Sequence, residues 1–325
     1  MLKSAAILLA AVYLTSTDVC YVYEKSTRPE AVCESSKTLT GIYEGGSFNT
    51  DGDICITYLT EGDTLSGDFL TRCEIEDKLP LIILRPTEYS EKFAKQLAAR
   101  LAGFNAPVLV QIDSSLSSKY KDFFRKSADI IHARVPSAAV VWGISSDKTD
   151  KLSTLYPGDN YADWVALNMF EGADKNGIYT DPYPLYNILS YFEKSKPVII
   201  NLSVASYSSD GHKYFITEAA YEIERVYSLP ERNAAIKAVN YISRATPKGS
   251  AELENSQRLK QALANGINKC GCTQNIRLPV AAYNHNGAFY CTKGIVPTGE
   301  EYCIINNKRC YKIENAGRYV FVRAQ

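Results

Sequence analysis

Apolar residues along the chain come in short unbroken runs separated by polar, turn-rich text. Runs at 38–43, 54–59, 79–84, 106–112, 138–144, 197–202 and 236–242, with another opened by Asp163-Trp164, predict eight strands. Continuous apolar runs of this length, bounded by turn residues, suit strands covered on both faces. Between them the period changes. Phe93, Leu97 and Leu101 recur at four-residue spacing within 88–101, and Phe123, Phe124, Ala128 and Ile131 share one stripe of 119–134. Such stripes mark helices that lay an apolar face on a sheet. Further helices are predicted over 69–77, 186–192, 217–227 and 257–267, while the Gly/Asn/Asp loop between the first two strands is too short for one. Strands mostly alternating with helices predict an α/β chain closed into a (β/α)8 TIM barrel. A doubly wound open sheet is the alternative, disfavoured because no glycine-rich turn follows an early strand.

The two ends of the chain read differently. Lys3 and then an apolar run from Ala5 to Leu14, ending in Thr15-Ser16-Thr17, predict a secretory signal over 1–17. That run is too short to span a bilayer, so no transmembrane segment is expected. Residues 18–37 read as a disulfide-tied lead-in, 38–269 as the barrel, and 270–325 as a small disulfide-rich β module built of turns and short aromatic runs. Nine cysteines fit an extracellular, oxidising location. They are Cys20, Cys33, Cys55, Cys73, Cys270, Cys272, Cys291, Cys303 and Cys310, and their odd number leaves one thiol free or in an intermolecular bond. Cys270-Gly271-Cys272 lacks the second ligand pair that zinc requires, so no metal and no cofactor is expected.

The charge balance adds one exclusion. Lys plus Arg and Asp plus Glu each number 36, giving a formal net charge of zero in 325 residues and no bias toward nucleic acid or anionic membrane.

One stretch carries a resemblance. Val141-Trp142, then Tyr156-Pro157-Gly158-Asp159, then Tyr161-x-Asp163-Trp164-Val165 resembles the signature of glycoside hydrolase family 26, the β-mannanase-like barrels. The likeness extends more weakly over about 41–267. It implies a sugar cleft at the C-terminal ends of the strands, where retaining glycosidases hold two carboxylates about 5–5.5 Å apart. In the family an acid/base glutamate follows the fourth strand in a pattern like R-F-x-H-E-M-N. Here the text is Gln111-Ile112-Asp113-Ser114-Ser115-Leu116-Ser117, and the glutamate's place falls on Ser115. The nucleophile follows the seventh strand in a pattern like K-P-x-x-I-x-E-F-G. Lys196-Pro197-Val198-Ile199-Ile200-Asn201-Leu202-Ser203-Val204 puts Leu202 there, or Asn201 after a one-residue slip. None of these side chains can do a carboxylate's work.

With the predicted signal, the resemblance therefore implies a secreted non-catalytic barrel, a pseudo-glycosidase that binds a polysaccharide or cell-surface glycan or acts as an extracellular surface or scaffold protein. An active hydrolase using relocated carboxylates, Asp113 and Glu171, is the alternative, and a structural or partner-binding protein the second alternative. Trp142, Tyr43, Phe170, Tyr207 and Tyr241 are the candidate carbohydrate-binding aromatics, since flat rings offer apolar surface to sugar faces. Asp163 opens its strand at the end away from the cleft, which predicts a stabilising role. His132 and His212 lack a nucleophile-elbow context, which argues against Ser/His or Cys/His chemistry.

Overall fold

The computed structural model describes residues 38–270 apart from 46–51, 77, 105–106, 136, 180–182, 193–195, 232, 234, 247–248, 252 and 254–255. It also describes the strand backbone at 32–35, 282–283, 289–290, 301–305, 308–315 and 318–323. The chain divides into two compact units, 38–272 and the combination of 1–37 with 273–325.

The larger unit is a closed parallel barrel. Its strands are β1 (Leu39–Glu44), β2 (Ile54–Thr60), β3 (Leu79–Arg85), β4 (Val108–Asp113), β5 (Ala138–Ser145), β6 (Trp164–Gly172), β7 (Val198–Ala205) and β8 (Ile236–Ser243). They neighbour one another in sequence order, and β8 closes on β1 with Ala238 beside Leu39. Every strand but the first is followed by a helix: α1 (Gly67–Ile75), α2 (Glu91–Leu101), α3 (Tyr120–Arg134), a 3-10 and short α segment over 146–155, α4 (Tyr183–Phe192), α5 (Ile216–Tyr227) and α6 (Gln257–Cys270). The predicted alternation and barrel are thus observed.

Side chains on a strand point alternately to opposite faces, so each barrel strand feeds two cores. The outward core lies between strands and helices and includes Ile82, Leu84, Val110, Ile112, Val140, Trp142, Ile200, Leu202 and Tyr241. The helices supply the matching stripes. Phe93, Ala94, Leu97, Ala98 and Leu101 of α2 are buried, as are Phe123, Phe124, Ala128 and Ile131 of α3. Helix starts follow capping chemistry: Ser66 accepts a hydrogen bond from Asp68 N, and Ser90 from Lys92 N. Trp142 shows the energetics of this layer. Fully buried against Tyr156 and Phe192, its ring contributes about 4–6 kcal/mol from the ~150–250 Å² that such a side chain removes from water.

Two expected strand ends move. The seventh strand continues past Leu202 to Ala205, and the sixth runs on to Gly172. The reason at β7 is that Asn201 and Ser203, polar residues at the expected strand end, face a polar lumen instead.

The smaller unit is described by backbone alone. Its six-stranded sheet has the order 32–35, 301–305, 308–315, 318–323, 282–283, 289–290. The end of the lead-in and the tail, read separately from the sequence, thus share one antiparallel sheet, with Cys33 opposite Cys303 and Cys303 opposite Cys310 in register. The side chains of the disulfide framework expected of this module lie outside the described residues, and no disulfide joins the described cysteines Cys55, Cys73 and Cys270. In the barrel unit, Cys55 of β2 and Cys73 of α1 are buried and share a side-chain hydrogen bond. The expected signal at 1–17, and Cys20, Cys272, Cys291 and His285, lie outside the described residues.

Candidate functional site

Alternation from the outward core assigns the lumen. Gly41 and Tyr43, Tyr58, Leu81, Ile83 and Arg85, Gln111 and Asp113, Gly143 and Ser145, Asn168 and Phe170, Asn201 and Ser203, and Asn240 face inward. In the middle of the barrel a chain of amides crosses from strand to strand. Asn201 Nδ2 donates to Gln111 Oε1 at 3.0 Å and to Asn168 Oδ1 at 2.9 Å, and Asn240 Nδ2 donates to Asn201 Oδ1 at 2.9 Å. Register explains the meeting: Asn168 is the Cα partner of Asn201, which is the partner of Asn240, which in turn is the partner of Gly41. Buried amides need such partners, because an unpaired one costs its full desolvation.

Asp113 crowns this network toward the C-terminal mouth. Its Oδ1 accepts from Gln111 Nε2 at 2.6 Å and from Asn168 Nδ2 at 3.0 Å. Gly143 makes the room, since a Cβ there would fall on Asp113 Oδ1 and within 2.9 Å of Gln111 Nε2.

Above Asp113 lie rings and guanidinium groups. Tyr58 is held between Arg85, whose Cζ is 4.4 Å from the ring centroid, and Arg244, at 4.6 Å. Arg244 also lies 5.2 Å from the Phe170 ring, and Tyr43 meets Tyr58 edge-on at 4.7 Å. Burial, partly offset by Arg244, pushes the Tyr58 hydroxyl well above its ordinary range, so it stays neutral and able to donate. Burial lowers the Arg244 guanidinium from its ordinary value, an effect opposed by Tyr58 and Asp113. Arg244 Nε is buried and has no hydrogen-bond partner among the described residues.

The sequence candidates are distributed as follows. Tyr43, Phe170 and Asp113 meet at the mouth. Ser115 follows β4 in a half-buried loop, where its Oγ accepts from Ser117 N. Leu202 points outward into the core behind β7, so the lumen positions flanking it are Asn201 and Ser203. Trp142 and Tyr241 are not at the mouth either; both belong to that outward core, and the Tyr241 hydroxyl donates to Ala251 O at 3.0 Å. Tyr207 stacks on Tyr214 in a two-strand hairpin after β7. Glu171 follows Phe170 on the opposite face of β6. It is buried within electrostatic reach of Arg225, whose guanidinium forms a two-bond pair with Glu222 at 2.7 and 2.6 Å. Asp113 and Glu171 therefore lie on opposite faces of the barrel wall and do not converge. Asp163, at the other end, ties β6 to β5 and α3 by accepting from Val140 N at 2.7 Å and meeting His132 Nε2 at 2.7 Å.

Sequence reasoning did not single out Tyr58, Arg85, Gln111, Gly143, Asn168, Asn240 or Arg244. For the amides a signal existed, since each is a lone polar residue inside an apolar run. Among the described residues, Asp113 is the one carboxylate at an inward strand position, no His/Cys/Asp/Glu group could hold a metal, and no helix is long and apolar enough to cross a membrane.

No family model and no curated protein matches the chain. Among solved structures it is similar to a GH113 β-1,4-mannanase at 8% identity and TM-score 0.51, covering 71% of this chain and 99% of that one. It is also similar to xylanase 10B of Thermotoga maritima, at 12% identity and TM-score 0.48 over 72% of this chain and 96% of that one. A GH128 (subgroup VII) oligosaccharide-binding protein from Trichoderma gamsii gives 14% identity and TM-score 0.38, over 66% and 87%. These neighbours are glycoside-hydrolase barrels, and at such identities the mannanase likeness establishes the fold and nothing finer.

Proposed function

We propose that this chain is an exported, non-catalytic barrel that binds carbohydrate at the C-terminal mouth of its strands. The observation that carries the reading is the composition of that mouth: the partly buried rings of Tyr43, Tyr58 and Phe170 stand around a single inward carboxylate, Asp113, whose Oδ1 is already held by two amides. Rings supply apolar faces for sugar, and fixed polar groups orient it. Glycosidic cleavage by the two-carboxylate route needs a second acidic group opposite the first. Glu171 faces the other way, and the positions that the family 26 resemblance assigns to the catalytic pair fall on Ser115 and on Leu202 with its inward neighbours Asn201 and Ser203. Loss of general acid catalysis alone removes about 10²–10⁴-fold in rate. Export is supported by the N-terminal apolar run and the nine cysteines.

A panel of mannans, β-glucans, xylan, chitin and peptidoglycan tests the reading, with retention in affinity electrophoresis and released reducing ends measured in parallel. Retention without release is expected. Release of sugar that disappears in Asp113→Asn would overturn the non-catalytic reading and identify Asp113 as the acid.

A further inference from the structure

The mouth holds more positive charge than a neutral sugar requires. Arg85 and Arg244 both lie over the ring of Tyr58, and among the described residues Asp113 is the carboxylate that acts on both Tyr58 and Arg244. Among the described residues, two guanidinium groups against one carboxylate leave a local surplus of one positive charge, in a chain whose formal net charge is zero. Neither arginine makes an ion pair among the described residues. The buried Nε of Arg244 has no hydrogen-bond partner among the described residues, and a buried donor left without one is expensive. Cation–π contact with Tyr58 brings both guanidinium groups to one ring, and paired arginines of this kind suit a carboxylate or sulfate, which a guanidinium grips with parallel hydrogen bonds.

We propose that the glycan bound at this mouth is anionic, a sugar bearing a carboxylate or a sulfate group, with Arg244 and Arg85 as the specificity-determining residues around Tyr58. The inference rests on the carbohydrate-binding reading and names the substrate class for it.

The test uses the full chain and matched polymers: polygalacturonate against its methyl ester, and chondroitin sulfate against desulfated chondroitin, which keeps its uronate. Affinity electrophoresis and calorimetry are run at 50 and 300 mM NaCl. The expected result is at least about tenfold tighter binding to the charged member of at least one pair, as one charge-assisted contact supplies. That preference should weaken at high salt and fall about tenfold or more in Arg244→Gln. Preference within the first pair identifies a carboxylate, within the second a sulfate. Arg85→Gln is the parallel variant should Arg244→Gln fail to fold, as judged by its thermal melt. Equal retention of charged and neutral polymers would overturn the anionic inference while leaving the carbohydrate reading in place. Charged-polymer binding unchanged in folded variants would overturn it as well, and retention of no polymer at all would remove both.

Discussion

Replacing Asn201 by alanine deletes the central member of the amide chain that crosses the barrel. Three hydrogen bonds are lost, two donated by Nδ2 at 3.0 and 2.9 Å and one accepted by Oδ1 at 2.9 Å, all between buried groups. At about 1 kcal/mol net for each, the loss is about 3 kcal/mol. For a barrel of this size that lowers the melting midpoint by roughly 6–12 °C. Urea unfolding followed by tryptophan emission is the natural assay. The chain has two tryptophans, Trp142 and Trp164, both fully buried in the barrel, so the signal reports this unit alone. The denaturant slope should be unchanged, since the exposed area on unfolding hardly differs. Asn265→Ala is the control, because Asn265 makes its bonds to Gln261 and Glu224 in exposed positions. That variant should stay within about 0.5 kcal/mol of the parent. A loss under about 1 kcal/mol for Asn201→Ala, or one no larger than that of the control, would refute the view that the hydrogen bonds of this amide chain stabilise the barrel.

Gly143→Ala should cost about 1–3 kcal/mol by pressing on Asp113 and Gln111, and should weaken glycan retention. Gly103→Ala, where an added Cβ meets nothing within 4 Å, should be neutral or slightly stabilising in the same urea titration. Arg225→Met leaves buried Glu222 without its two-bond partner and should cost about 3 kcal/mol. Lys126→Met removes only an exposed pair with Glu91 and should cost at most about 1 kcal/mol; similar losses for the two would sink that contrast. Glu61 gives a pH signature. Burial tends to raise its carboxyl pKa, but hydrogen bonds from the backbone of Ser90, Glu88 and Thr87 and from the Thr87 hydroxyl outweigh this and hold it below the ordinary value. A depressed folded pKa stabilises above the unfolded value of about 4.3 and loses that contribution as pH falls through the folded one. The advantage of the parent over Glu61→Gln should therefore be present at pH 7 and shrink as the pH falls below about 4.3, and a difference independent of pH would count against it.

The barrel was legible because its two requirements leave opposite marks on the sequence. Strands covered on both faces read as solid apolar runs, and the helices over them read as stripes such as Phe93, Leu97 and Leu101. The lumen was harder to read. Asn201 and Ser203 look like a strand end to a rule that equates polar with loop, yet each is an inward residue bonded to other strands of the barrel. Arg244 and Tyr58 escaped for a related reason: neither has a local pattern, and only closure of β8 on β1 brings them together. Trp142 and Tyr241 illustrate the converse. An aromatic at a strand's C-terminal half is equally compatible with either face, and parity set by the neighbouring strands put both outside.

Closure itself governs how this chain reaches its fold. β1 is made early in synthesis, yet its second neighbour is β8, with Ala238 seated beside Leu39. Until residues 236–243 have left the ribosome, one edge of β1 has no native partner and exposes its row of N–H and C=O groups. Pairing across so long a loop is slow, because chain entropy is lost before the contact returns any stability. A nascent chain halted before β8 is therefore an open sheet with two reactive edges. Truncations that remove 236–243 should accordingly emerge as aggregates that need a chaperone, not as smaller barrels.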